Sequence, residues 1–168
     1  MPKPFRRAVT RYTIRPATEK DLDALVRHRR KMWEDIDGHS EDRLDAHDRL
    51  YRRWARQRLR SGRFFAWVAA NARGEIAASG AVWLQDTQPH PRIGLGPVPY
   101  LLSMYTEPAH RGHRLATRIV QEAMKWAKGE GFGRMTLHAS IQGRNVYRRL
   151  GWERTWEMRV RTEASKRR

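Results

Sequence analysis

The stretch that most limits what this chain can become is residues 100–127, "YLLSMYTEPAHRGHRLATRIVQEAMKWA". Residues 100–107 form an apolar run of strand length. Pro108 follows, then a cationic turn, then a helical pattern whose apolar face is Leu115, Ile119, Val120, Ala123 and Ala127, with Gly129 and Gly131 to stop it. Arg111, Gly112, His113 and Arg114 stand where the helix begins. That end of a helix carries positive dipole and free N–H groups and ordinarily favours acids. Arginines there make sense if an anion is to sit on them, and a phosphate is the natural candidate.

The rest of the chain alternates elements without an internal repeat. "RYTIRPA" (11–17) reads as a short strand after a basic arm at 1–10, expected to be flexible. Thr18 caps a helix whose apolar positions are Leu22, Leu25, Val26, Met32, Trp33 and Ile36, ended by Gly38. Ser40 opens a second helix to about Leu59, with Leu44, Tyr51, Trp54 and Leu59 apolar. Two strands, "RFFAWVAAN" and "EIAASGAVWLQ", meet at a tight turn over Asn71–Gly74. Residues 86–99 read as a loop. After the long helix come a strand "RMTLHAS" (134–140), a short helix "GRNVYRRLG" (143–151) and a final strand "WEMRVRT", with a basic tail at 163–168. The expected architecture is one α/β domain over 11–162, with a mixed, mostly antiparallel sheet and helices on both faces.

Composition closes off several chemistries. There is no cysteine, so disulfides, thiolate catalysis and cysteine zinc sites are excluded. No apolar run approaches the roughly 20 residues of a membrane span, and "MPKPFRRAVT" lacks the apolar centre of a signal peptide. A cytoplasmic protein with no membrane partner is expected. Lys+Arg 35 against Asp+Glu 18 gives a net charge of +17, which suits nucleic acid, an anionic cofactor or an acidic membrane surface. His110 and His113 have a spacing seen at metals, but no carboxylate joins them, and no metal is expected.

Three features in order resemble the GNAT superfamily, the GCN5-related N-acetyltransferases. They are the passage "LLSMYTEPAHRGHRLATRIV", the strand "LHAS" and the sequence "YRRLGW". The first is similar to the family's acetyl-CoA motif, Arg/Gln-x-x-Gly-x-Gly/Ala, and the last to its Tyr-x-x-x-Gly-Phe signature. The likeness runs from "YTIRPAT" to "WEMRV" and implies a GNAT fold.

The resemblance also implies roles. The backbone N–H groups from Arg111 through Gly112, His113, Arg114 and Leu115 to Ala116 would hold the pyrophosphate of acetyl-CoA. The main chain of Met104, Tyr105 and Thr106 would pair with the pantetheine arm. Tyr147 would stand beside the thioester sulfur, as the acid for the departing thiolate. Ser140 occupies the place of a cofactor-contacting asparagine, and Arg114 the place of the middle glycine. The implied activity is transfer of the acetyl group to a primary amine by direct attack in a ternary complex, without metal. His138, on the strand beside the expected centre, is either an acceptor of the amine's proton, directly or through water, or a buried, hydrogen-bonded strand histidine, and the base stays unassigned.

Residues 34–48, "EDIDGHSEDRLDAHD", hold seven acids. They either draw in a cationic small-molecule or peptide acceptor, or serve locally through pairs such as Asp45–Arg49 and Asp48–Arg52. A homodimer is compatible with the reading. Two other classes stay open: a GNAT-like acyl-CoA sensor without catalysis, and a basic nucleic-acid-binding protein.

Overall fold

The computed structural model describes residues 11–37, 41–89, 91 and 94–160. The basic arm, Gly38, Ser40 and the tail at 163–168 lie outside the described residues. In chain order the elements are β1 (Thr13–Pro16), α1 (Leu22–Asp37), α2 (Glu41–Arg60), β2 (Phe64–Ala70), β3 (Ile76–Gln85), β4 (Val98–Thr106), α3 (Leu115–Gly129), β5 (Thr136–Leu137) and α4 (Arg144–Arg149). The five strands form one sheet in the order β1-β2-β3-β4-β5. Every pairing is antiparallel except β4 with β5.

Period-two alternation gives this sheet its two covered faces. On β2, Phe64, Ala66 and Val68 join Leu22, Leu25, Val26, Tyr51 and Ala55 of α1 and α2 in one core. Trp67 and Ala69 face the other way, into a core with Leu115, Ile119, Val120 and Ala123 of α3. The four α3 residues belong to the apolar stripe read from the sequence, whose fifth member, Ala127, is buried as well. Fully burying such aliphatic side chains stabilises by about 1.5–3 kcal/mol each. Thr18 caps as expected: its hydroxyl accepts from Lys20 N–H at 3.3 Å, and Asp21 Oδ2 accepts from Thr18 N–H at 2.8 Å. A single 3-10 turn, Glu19–Asp21, separates that cap from α1. Arg15 then grips Asp21 through both guanidinium nitrogens, at 2.8 and 2.7 Å. The turn between β2 and β3 closes with Gly74 N–H on Asn71 C=O at 2.9 Å, Gly74 taking φ +80°.

Two strand expectations need correction. The strand expected over 134–140 is laddered only at Thr136–Leu137, pairing with Tyr100 and Leu101 of β4. The final strand is not formed over its described part: 152–160 carries no ladder, and Trp156, Met158 and Val160 are almost fully exposed. The alternation that suggested a strand is real, but no sheet edge receives it. Trp152 packs against Tyr147, and further along His138 Nε2 lies 2.6 Å from Glu157 Oε1, which holds the segment beside β5.

The ion pairs along α2 that formed one of the two readings of residues 34–48 are not the ones made. Asp45 and Asp48 meet Arg30 of α1, and Arg52 meets Asp23. The charges therefore join α1 to α2 instead of bracing one helix.

Candidate active site

A wedge opens where β4 and β5 part company. The two strands pair only at residues 100–101 of β4, and beyond Leu137 the chain leaves the sheet. Met104, Tyr105 and Thr106 lie on the stretch of β4 past that point. The strand is also bent there. Tyr105 faces Ser79 and Leu102 faces Ala81, so Ser103 and Met104 together oppose Gly80, and Ser103 takes φ +53°. Such a bulge re-aims backbone groups and side chains next to a site. A Cβ on Gly80 would meet Met104 Sδ at 2.1 Å and Ile119 Cγ2 at 2.9 Å, so glycine lets the Met104 side chain cross over β3.

β4 runs out into Glu107 and the turn Pro108–His110, and the loop to α3 follows. Gly112 has φ +82°, and Arg114, immediately before α3, has φ 57° and ψ 25°. Glycine adopts this left-handed conformation without strain, whereas Arg114 must hold a side chain in it. No side-chain hydrogen bond caps α3. The first N–H groups of a helix have no intrahelical acceptor, so those of Leu115, Ala116 and Thr117 are left for an outside partner. Leu115 itself is buried in the core and fixes where the helix starts.

The arginines do not both point at that end. Arg111 reaches back, donating from Nε to Thr106 C=O at 3.1 Å and from Nη2 to Asp35 at 3.0 Å. Arg114 is exposed. His113 Nδ1 lies 3.1 Å from Arg111 C=O, and its ring tilts against Tyr12. His110 shares a hydrogen bond with the Tyr12 hydroxyl at 2.8 Å. Both histidines thus brace the loop against the first strand. Among the described residues no three His, Asp or Glu side chains gather as a metal site.

Tyr147 on α4 packs against the α3-side core that also holds Met104, with its ring edge-on to Trp152 at 6.0 Å. Gly143 makes room for the ring, since a Cβ there would meet Tyr147 Cε2 at 2.9 Å. Burial pushes the phenol up to about 12. Ser140 acts locally at the start of α4, where its hydroxyl accepts from Gly143 N–H at 3.2 Å. His138 is held on both nitrogens, by the Tyr100 hydroxyl and by Glu157. The hydrogen bonding of the second reading is there, but the ring is exposed and lies past the end of β5, so His138 is not the buried strand histidine of that reading.

The N-terminal side of the wedge contains a residue group that sequence reading passed over. Glu107 lies 2.7 Å from Lys31 Nζ, 3.3 Å from His28 Nε2 and 3.6 Å from Arg27 Nε, all on α1. His28 is fully buried, with Nδ1 hydrogen-bonded to Ser79 Oγ at 2.8 Å. Burial raises the Glu107 carboxyl, but the Lys31 hydrogen bond and the surrounding positive charge outweigh it and leave it below its ordinary value. A carboxylate so held clamps α1 to β4 and makes a weak base. The signal available in sequence was a helical run of cations, "RHRRK" (27–31), facing a lone acid before Pro108.

The model for the acetyltransferase (GNAT) family matches residues 22–152, which covers both arms of this wedge and the loop after β4. The chain belongs to the GNAT family. Among solved structures, the GNAT chain is similar to a GCN5-related N-acetyltransferase from Ralstonia eutropha, with 29% identity over 90% of this chain and 99% of that one, at a TM-score of 0.81. It is similar to a predicted acetyltransferase from Clostridium acetobutylicum, solved with acetyl-CoA: 27% identity, 90% and 96% coverage, TM-score 0.80. A putative acetyl transferase from Pyrococcus furiosus, 16% identical over 90% of this chain and 99% of that one, shares the fold at a TM-score of 0.74. No curated protein matches the chain.

Proposed function

We propose that the chain is an acetyl-CoA-dependent N-acetyltransferase that acts by direct attack of a primary amine on the thioester in a ternary complex. One observation carries the reading: an uncapped helix start, preceded by two left-handed residues, directly follows a bulged strand that has lost its neighbour. The free N–H groups at Leu115, Ala116 and Thr117 suit a pyrophosphate. The stretch at Met104–Thr106, without a strand partner on its β5 side, suits an extended amide-bearing arm. The relative from Clostridium acetobutylicum, solved with acetyl-CoA, supports the same cosubstrate. Arg111 acts in this reading by holding the loop to Thr106 and Asp35, and the pyrophosphate contacts come from backbone.

In the reaction the amine nitrogen forms a bond to the thioester carbonyl carbon and the carbon–sulfur bond breaks. The amine gives up a proton and the sulfur leaves as a thiolate. Burial pushes the Tyr147 phenol up to about 12, and it raises a thiol leaving into the same site in the same sense. Tyr147 therefore keeps its proton at neutral pH and serves as the acid for the departing thiolate. His138 and Glu107 are both engaged, and the base is water-relayed or the amine enters already neutral.

The reading is open to direct test. Acetyl-CoA should raise the melting temperature, as any ligand selective for the folded state must. A screen of amines, amino acids, aminoglycosides and peptides should show acceptor-dependent thiol release. Tyr147→Phe should lower kcat by about tenfold or more while leaving acetyl-CoA affinity nearly unchanged. Thermal stabilisation without thiol release on any amine would point to an acyl-CoA sensor instead.

A further inference from the structure

Helix α2 is split by charge along its length. Its acids, Glu41, Asp42, Asp45 and Asp48, all stand in the first half, and from Arg49 to Arg60 it holds six arginines and no acid. The buried positions of the helix are Leu44, Tyr51 and Ala55. At 3.6 residues per turn, Arg49, Arg53, Arg56 and Arg60 form a row on the opposite side, and all four are exposed. With Arg52, Gln57 and Ser61 they line an open groove of about 650 Å³.

Positive charge in this groove exceeds its partners. Glu19 meets Arg60 at 2.7 Å and lies 4.0 Å from Arg56, and Asp23 meets Arg52. Two carboxylates thus face five arginines. Arg49 and Arg53 have neither an ion pair nor a hydrogen bond among the described residues. Asp45 and Asp48, the acids nearest to Arg49 along the helix, are both hydrogen-bonded to Arg30 of α1. Glu41 and Asp42 lie roughly 10 Å or more before Arg49 along the axis, about one Debye length at 0.1 M salt.

The fold gives no reason for the row. The helix dipole accounts for cations in the last turn, Arg58 and Arg60, but acts only over that turn. Like charges at i,i+4, as in Arg49–Arg53 and Arg56–Arg60, work against a helix. An anion running along the row would remove that repulsion.

Spacing and lining select the anion. Arg49 to Arg60 spans about 17 Å at 1.5 Å per residue, the rise of about five phosphates on one nucleic-acid strand. Guanidinium forks take phosphate oxygens in pairs, and Gln57 and Ser61 add neutral donors. No aromatic ring lines the groove. Trp54 is covered by Arg58 and packs edge-on against Phe64 and Trp83. Bases therefore find no platform to stack on, which disfavours single strands and leaves the backbone of a duplex. Among the described residues, Leu50 is the one exposed large apolar side chain on α2, so the face lacks what an interfacial membrane helix inserts.

We propose that the outer face of α2 is a docking surface for double-stranded nucleic acid, held through the phosphate backbone without base readout. The wedge is built from β4, β5 and α3, so this surface lies on a different element and does not depend on the acetyltransferase reading.

Fluorescence anisotropy with a labelled duplex of about 20 base pairs, titrated from about 50 to 200 mM salt, tests it. The parent should bind duplexes of unrelated sequence equally and the single strand more weakly. Log K should fall against log salt with a slope of roughly −3 to −4, for four phosphate contacts. Arg49→Gln with Arg53→Gln should weaken binding by about tenfold or more at the low-salt end and flatten the slope by about two. Arg49→Lys with Arg53→Lys keeps both charges and should keep the slope. Lys125→Gln with Lys128→Gln removes the same charge from exposed positions on α3 and should change affinity by less than about twofold. Equal losses from the α2 and α3 glutamine pairs would reduce the binding to the net charge of +17 and overturn the proposal. Failure of the parent to bind the duplex at the low-salt end overturns it too, as does tighter binding of the single strand. Tighter binding of polyglutamate, or of vesicles rich in phosphatidylserine, would assign the face to an acidic protein or a membrane instead.

Discussion

Arg114 shows how much chemistry a single backbone angle can decide. At φ 57° and ψ 25° it sits in the left-handed region, where an L side chain costs roughly 1–2 kcal/mol. Its side chain is exposed and caps nothing, so no packing returns that cost. Arg114→Gly should therefore stabilise the fold by about 1 kcal/mol, the relief being partly offset by the freer unfolded chain. Urea titration measures it. The same variant should still bind acetyl-CoA, with a weaker dependence on salt, because the backbone N–H groups remain and one exposed charge is gone. Destabilisation, or complete loss of binding, would show that the guanidinium has a partner the backbone argument omits. The Arg111 neighbour differs: its contact with Asp35 and Thr106 makes it a brace for the loop.

At the scale of elements, β4 and α3 depend on one another through Gly80. Adding a methyl group there drives Met104 Sδ from its seat and presses on Ile119 Cγ2. Overpacking of this kind costs typically about 1–3 kcal/mol. Gly80→Ala should fall in that range by denaturant titration and should weaken acetyl-CoA binding, since Met104 lies on the bulged stretch. Adding Met104→Ala should recover much of the stability, because the flexible thioether is the group displaced. A double variant no more stable than Gly80→Ala alone would place the strain on Ile119 and the helix.

This contact also marks the limit of what could be read from sequence. The apolar stripe of α3, the Thr18 cap and the Asn71–Gly74 turn follow from local periodicity and turn chemistry, and each is present. The bulge at Ser103 is a non-local event, although a glycine inside the strand "AASGAV" was its available trace. The segment 152–160 alternates like a strand and finds no edge to join. Likewise, Asp45 and Asp48 could be given helical neighbours from spacing alone, yet both turn to Arg30 on another helix.

For the molecule as a whole, the buried pair between α1 and β4 sets an acid limit. His28 is fully buried, and its imidazole is driven from 6.5 down to about 4. Burial is the chief cause, and the charges of Arg27 and Lys31 add to it while Glu107 opposes them. In the unfolded chain the same histidine takes up its proton near 6.5. Below that value the unfolded state binds more protons than the folded one, so stability falls with pH until about 4, where the folded imidazole also protonates. The loss from this one group is at most about 3 kcal/mol. Glu107, held below its ordinary value, contributes stability that is lost at still lower pH, so the two groups erode the fold in sequence. The net charge of +17 grows as other carboxylates neutralise, which adds self-repulsion in the same direction. Urea titrations from pH 7.5 to 4 at fixed ionic strength should show unfolding free energy declining from about pH 6.5. His28→Gln, which keeps a hydrogen-bonding group towards Ser79 but cannot titrate, should be less stable at pH 7.5 and should decline less steeply. An unchanged slope in that variant would assign the acid sensitivity to the six other histidines or to the carboxylates. The α1–β4 clamp would then be indifferent to pH.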